Sequence, residues 1–187
     1  MMRQTLRICS LGICLYLVGC APKLTWIPDP LPLPSCQPDR LLQWSDFTPR
    51  TPQDERGAET AIRFLHHPSQ HRLSIALDHE HSWVKRELVD PANARHWRIS
   101  ENLLAHEQLH FFISCLVVRQ ANLSMTKDDD LRKMLELTKL VAQRLNLQYD
   151  RDTNHGLDFD AQQSWETEVM NQFQELGNHL ISRQSYQ

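Results

Sequence analysis

Apolar residues along this chain change their rhythm once. From residue 40 to 89 they come in short groups: Leu41, Leu42, Trp44 and Phe47, then Ala58 to Leu65, then Leu73, Ile75 and Leu77, then Ser82 to Val89. Partial two-residue alternation of this kind marks half-buried strands. Thr48 to Gly57 and His66 to His71 contain Pro49, Pro52 and Pro68 and are expected to be turns. From residue 100 the period lengthens. Ser100 can cap a helix running through Arg119, with Glu101 in the first turn where the macrodipole favours it. Its residues, from Leu103 to Val118, leave little polar face, so this helix is expected to be buried. Thr126 or Asp128 can cap a second helix, with Leu131, Met134, Leu135, Val141, Ala142 and Leu145 on one face. Asp158 or Asp160 can cap a third, with Trp165, Val169, Phe173, Leu176 and Leu180 on one face. The expected class is α+β: a small N-terminal antiparallel sheet followed by three packed helices.

The first residues follow a different logic. Arg3 and Arg7 precede an apolar run from Ile8 to Val18, and Leu17-Val18-Gly19-Cys20 follows. A positive start, a short apolar stretch and a small residue before the cut describe an export signal. The run is shorter than the roughly 20 residues a spanning helix needs. Leu-Val-Gly-Cys resembles the lipobox of bacterial lipoproteins. That resemblance implies cleavage before Cys20, lipidation of Cys20 and, with Ala21 following, a place on the periplasmic side of the outer membrane. Pro22, Pro28, Pro30, Pro32, Pro34 and Pro38 forbid helix and favour extended chain. This stretch is either a semi-rigid spacer or an arm packed on the domain through Trp26 and Ile27. The expected organisation is a signal at 1–19, a lipid-anchored tether at 20–38 and one domain at 39–187.

Charge narrows the partners. The chain carries a formal −3, and loss of the leader with its two arginines makes the remainder more acidic. Nucleic acid is excluded as a partner, since that calls for a basic surface. Cys9 and Cys14 leave with the leader and Cys20 is acylated, so Cys36 and Cys115 remain in a compartment that permits disulfides. They can be bonded to each other; the preferred reading is a free, buried Cys115 on an apolar helix.

Ten histidines raise the question of a metal. The buried helix contains His106-Glu107-Gln108-Leu109-His110, the H-E-x-x-H pattern. Histidines four apart lie on one helix face, so both imidazoles can reach one ion. Zinc lowers the pKa of a bound water to about 7, and the glutamate can act as general base. Two histidines and a glutamate in an apolar helix also need partners of some kind. A catalytic zinc requires a third ligand. The second helix returns along residues 128–147, which brings Gln148 to Phe159 back beside His106. His155, next to Gly156, is the first choice for that ligand and Asp150 the second. Tyr149 could donate to an oxyanion, although a packing role is preferred. His79 and His81 would share a strand face; an exposed hairpin end is the preferred reading. Asp128-Asp129-Asp130 lacks calcium-loop spacing.

Four segments then carry a resemblance: Leu42-Gln43-Trp44-Ser45-Asp46-Phe47, Ser82-Trp83-Val84, Leu103 to Phe111, and Tyr149-Asp150-Arg151-Asp152-Thr153-Asn154-His155-Gly156. They span most of residues 40–165. The chain resembles a bacterial family known as a domain of unknown function and described as secreted zinc-dependent proteases. The resemblance implies a zincin-like metallopeptidase domain, zinc on His106 and His110, catalysis by Glu107, a functional role for His155 and a peptide substrate. Leu109 stands where that pattern has glycine and Phe112 where it has aspartate. The alternative expectation is a non-catalytic, metal-binding or structural envelope lipoprotein; a third is hydrolysis of other amides by the same chemistry.

Overall fold

Residues 24–25, 35–51, 56–90, 92 and 96–184 are described by a computed structural model of the chain. The leader, Cys20 and most of the proline-rich stretch, with Trp26 and Ile27, lie outside the described residues. No helix among the described residues is long and apolar enough to cross a membrane.

The architecture is α+β, with strands first and three long helices after them. The strands are β1 (Cys36–Gln37), β2 (Thr48–Arg50), β3 (Ala58–Glu59), β4 (Ile62–His67), β5 (Arg72–Leu77) and β6 (Trp83–Lys85). A single helical turn, α1 (Arg86–Val89), leads to α2 (Trp97–Ser124), α3 (Leu131–Asp152) and α4 (Phe159–Gln184). The strands form two three-stranded sheets, ordered β1-β5-β4 and β2-β6-β3. Both are mixed: β4 and β3 pair antiparallel to their neighbours, whereas β1 and β2 pair parallel. The expected sheet was antiparallel throughout. The difference arises from β1 and β2, which are brought in by distant partners and carry no alternation of their own.

The β4–β5 hairpin falls where alternation put it, and Leu73, Ile75 and Leu77 on β5 are fully buried. Its turn opens at Pro68 and closes on His71, which takes a left-handed φ of 49°. The segment from Arg40 to Phe47, expected as a strand, is a turn instead. The Asp46 carboxylate accepts from Gln43 N (2.8 Å) and from both terminal nitrogens of Arg40 (2.6 and 2.8 Å), folding Trp44–Asp46 into a 3₁₀ turn. Ser82 to Val89 is likewise divided between β6 and α1.

The helix α2 runs through the centre of the domain, packed by β5, α3 and α4. From His106 to Arg119 it is buried at every residue but His110. It begins at Trp97, so Ser100 is not its cap; the Ser100 hydroxyl instead accepts from Trp44 Nε1 at 2.7 Å. Asp130 caps α3 by accepting from Arg132 N and Lys133 N, in place of Thr126 or Asp128. At α4 the Asp158 carboxylate accepts from Ala161 N at 3.0 Å, as one of the two expected caps.

Cys36 and Cys115 are bonded, with Cα atoms 5.7 Å apart, which corrects the reading of Cys115 as a free thiol. The bond ties β1 to the middle of α2 across 79 residues of sequence. In a chain-entropy account a loop of this size stabilises by about 4.5 kcal/mol. Replacing Cys115 with Ser is therefore expected to lower the unfolding free energy by roughly 2–4 kcal/mol, measured by urea titration under non-reducing conditions. An unchanged midpoint would show that the cross-link constrains nothing.

Candidate metal centre

The site is built across the seam between two antiparallel helices. His106 and His110 lie one turn apart on α2, with their Nε2 atoms 3.1 Å apart. Asp150, in the last turn of α3, places Oδ1 3.2 Å from His106 Nε2 and 3.0 Å from His110 Nε2. Three ligating atoms thus form a nearly equilateral triangle. A tetrahedral zinc with bonds of about 2.0–2.2 Å would hold its ligand atoms roughly 3.3 Å apart. The triangle fits one face of that tetrahedron. Among the described residues this is the one group of three His, Cys, Asp or Glu side chains close enough to share an ion.

Neighbours fix the orientation of each group. Asn146, one turn before Asp150, donates through Nδ2 to the Ala142 carbonyl and to Ser114 Oγ, both at 2.9 Å. A carbonyl only accepts, so the amide orientation is determined and Oδ1 faces His110. His110 Nδ1, 2.8 Å away, must then carry the hydrogen and donate. Release of the Nε2 proton that bonds Asp150 then directs that nitrogen's lone pair into the triangle, the arrangement second-shell partners give to metal-binding histidines. Tyr149 lies beneath both imidazoles. It stacks on His106 at 4.7 Å and meets His110 edge-on at 5.0 Å, with no exposed surface. Its hydroxyl is buried without a hydrogen-bond partner among the described residues and does not line the cleft. Packing is its role in this geometry.

Burial alone would raise the Asp150 carboxyl, but hydrogen bonds from His106 and His110 outweigh it and hold the group well below the usual carboxylate range. For His110, burial opposes the charge; Asp150, Glu107 and Asn146 more than offset it and raise the imidazole. Burial raises Tyr149, with nearby carboxylates adding to the effect, so the phenol stays neutral.

Glu107 is buried, and its Oε2 accepts from Thr60 Oγ1 at 2.7 Å. Thr60 stands between β3 and β4. Glu107, His106, His110 and Asp150 all open onto one cavity of about 480 Å³. The sheet side of this cleft is walled by β3 and β4, with Ile62 and Phe64 projecting into it.

His155 sits differently from its expected place. It is 73% exposed at the mouth of the cleft, with Nδ1 3.6 Å from Asp150 Oδ1, outside the triangle. The structure thus brings the second choice, Asp150, into the cluster ahead of the first. The turn that carries His155 is tight: Asn154, His155 and Gly156 all have positive φ, at 48°, 55° and 81°. Gly156 lies against the His106 ring, where a Cβ would come within 3.0 Å of Nδ1 and Cγ. Among the described residues, the histidines outside this site form no comparable cluster. His79 Nδ1 lies 2.9 Å from the Asp46 carbonyl, and His81 pairs with Asp78.

Sequence reasoning did not single out Thr60 or Asn146. Asn146 was recoverable, because it lies four residues before Asp150 and so shares its helix face. Thr60 left no local signal.

A methyl group at position 156 meets both a left-handed backbone and the His106 ring. Gly156→Ala is expected to lower stability by about 1–2 kcal/mol from the backbone alone, read by denaturant unfolding. Wild-type stability in that variant would mean that the turn relaxes freely. Compared with models of protein families, with curated proteins and with solved structures, the chain has no match.

Proposed function

We propose that this chain is a zinc-dependent metallopeptidase, exported and held by a lipid on Cys20 at the periplasmic side of the outer membrane. One observation carries the reading: three ligating atoms 3.0–3.2 Å apart share a cleft with a buried carboxylate one residue from the first ligand. His106, His110 and Asp150 would hold the ion, with His155 at the rim. A zinc ion there supplies a Lewis acid that acidifies a water and polarises an amide carbonyl. The residues of the chain do the rest. Glu107 takes the proton of the attacking water as a carbon–oxygen bond forms at the carbonyl. It then returns that proton to the nitrogen as the carbon–nitrogen bond breaks. Thr60 holds the Glu107 carboxylate toward the cleft, and Asn146 keeps the His110 tautomer that leaves Nε2 free.

Two further features agree with this reading. No strand pairs with the outer edge of β4 among the described residues, and an extended peptide can add along such an edge. The Cys36–Cys115 bond suits an oxidising compartment outside the cytoplasm. The rival is a non-catalytic metal-binding lipoprotein, favoured by Leu109 and Phe112 in place of the glycine and aspartate of the family it resembles.

Glu107→Gln removes the base and leaves the ligands. It is expected to retain one zinc per chain and to lose peptide hydrolysis by roughly 10²–10⁴-fold. Full hydrolysis in this variant would defeat the mechanism, while bound zinc with no hydrolysis in the parent chain would establish the rival. Titration with zinc tests the ligand set separately. Asp150→Asn is expected to weaken binding far more than His155→Ala; the reverse order would make His155 the third ligand.

A further inference from the structure

The helix α3 is apolar on two opposite sides. Its inner side, with Leu135, Ala142 and Tyr149, is buried in the domain. On the outer side Leu137, Leu140, Val141 and Leu147 are 48%, 61%, 49% and 52% exposed. Helical spacing places Lys133, Arg144 and Arg151 on that same side, and all three are exposed. Glu136, at the edge of the stripe, is paired with Lys139 at 2.8 Å. From Lys133 to Arg151 the stripe is about 27 Å long at 1.5 Å per residue. Single exposed leucines are ordinary, but four large aliphatics along one helix face are not. An outward helix face in a soluble domain is normally polar.

We infer that this outer face of α3 docks on an anionic membrane surface, with its aliphatic side chains at the acyl boundary and its cations among lipid phosphates. Charge complementarity selects the occupant. Cations alternate with aliphatic side chains and no acid interrupts them, the composition of helices that lie in the plane of a negatively charged interface. The face is a convex ridge formed by one helix, which suits a plane better than a seated strand or helix. The N-terminal sequence, read as a lipid anchor, would keep a bilayer within reach, and one anchor gains from a second attachment of this kind. Leu147 also lines the cleft, so docking would turn the α3 wall of the cleft toward the bilayer. The inference goes beyond the peptidase reading and requires no metal.

The test uses the full chain in two kinds of vesicle, one of phosphatidylethanolamine with phosphatidylglycerol, the other of phosphatidylcholine alone. A fluorophore is placed on a cysteine introduced by Leu140→Cys or, as reference, by Glu80→Cys in the exposed turn before β6. Acyl-chain quenchers in the anionic vesicles are expected to quench position 140 several-fold more than position 80. That difference should vanish in high salt, in phosphatidylcholine, and in a variant with Lys133, Arg144 and Arg151 all changed to Glu. These three side chains are exposed, so an unchanged circular dichroism spectrum verifies the fold of that variant. Equal quenching at the two positions in anionic vesicles overturns the inference. So does equal quenching of position 140 in both lipids. Concentration-dependent shielding of position 140 without vesicles would overturn it in favour of a protein occupant.

Discussion

A polar side chain inside a fully covered helix has no water to bond with and must find its partner in a neighbouring element. The helix α2 carries four polar side chains within five residues, His106, Glu107, Gln108 and His110, and their needs set the way the domain is assembled; Gln108 accepts from Leu42 N. Thr60, from the strand layer, meets Glu107. Asn146 and Asp150, from α3, meet the two imidazoles. The match is periodic: His106 and His110 are four apart on one helix, Asn146 and Asp150 four apart on the other. A slip of α3 by one residue would turn it by about 100° and remove both partners together. The polar register of the α2–α3 seam is therefore specified more sharply than apolar packing alone would specify it. Tyr149, packed against both rings with no exposure, adds the steric part of the same lock.

What the sequence made legible follows from how local each signal is. The hairpin of β4 and β5, the buried α2 and the paired imidazoles all rest on periods of two or four residues, which one segment displays by itself. β1 and β2 are strands of two and three residues, formed by parallel pairing with partners 35 or more positions away, and no local pattern announces them. The segment from Arg40 to Phe47 has strand-like residues, yet side-chain bonds to Asp46 fold it into a turn. Here a short-range polar interaction overrides propensity.

The third member of the cluster turned on where α3 stops. With a helix ending at residue 147, the stretch from 148 to 159 is a loop, and a histidine beside a glycine is its natural ligand. The helix in fact runs to Asp152. Five more residues carry Asp150 onto the inner face and push His155 beyond the C-cap, into a turn of three consecutive left-handed residues. The helix end is thus what separates the two candidates, and helix ends are among the least legible features of a sequence. Thr153 explains the stop. Its hydroxyl donates to the Tyr149 carbonyl at 2.7 Å and lies 3.3 Å from Gly156 N, so it binds the last turn to the reversal that follows.

Phe112 places the remaining piece. On α2 it faces α4, where it meets Phe173 edge-on at 5.7 Å, and it is buried in the core. An aspartate there would need a partner among apolar rings. In this chain the polar support of the His110 ring comes from Asn146 on α3, itself held by Ser114 of α2, and the α4 side of α2 at Phe112 is apolar. The division extends along the helix. Around the imidazoles, Glu107 turns toward the strand layer and His106 and His110 toward α3, while Phe112 turns toward α4. Cys115, just over one turn past His110, holds the same helix to β1. The distance between α2 and the strand layer is thereby fixed at two places, by the disulfide and by the bond from Thr60 to Glu107. A cleft between a helix and a strand edge keeps its width only if both walls are held, and these two links hold them at the level of the imidazole pair and again farther along α2.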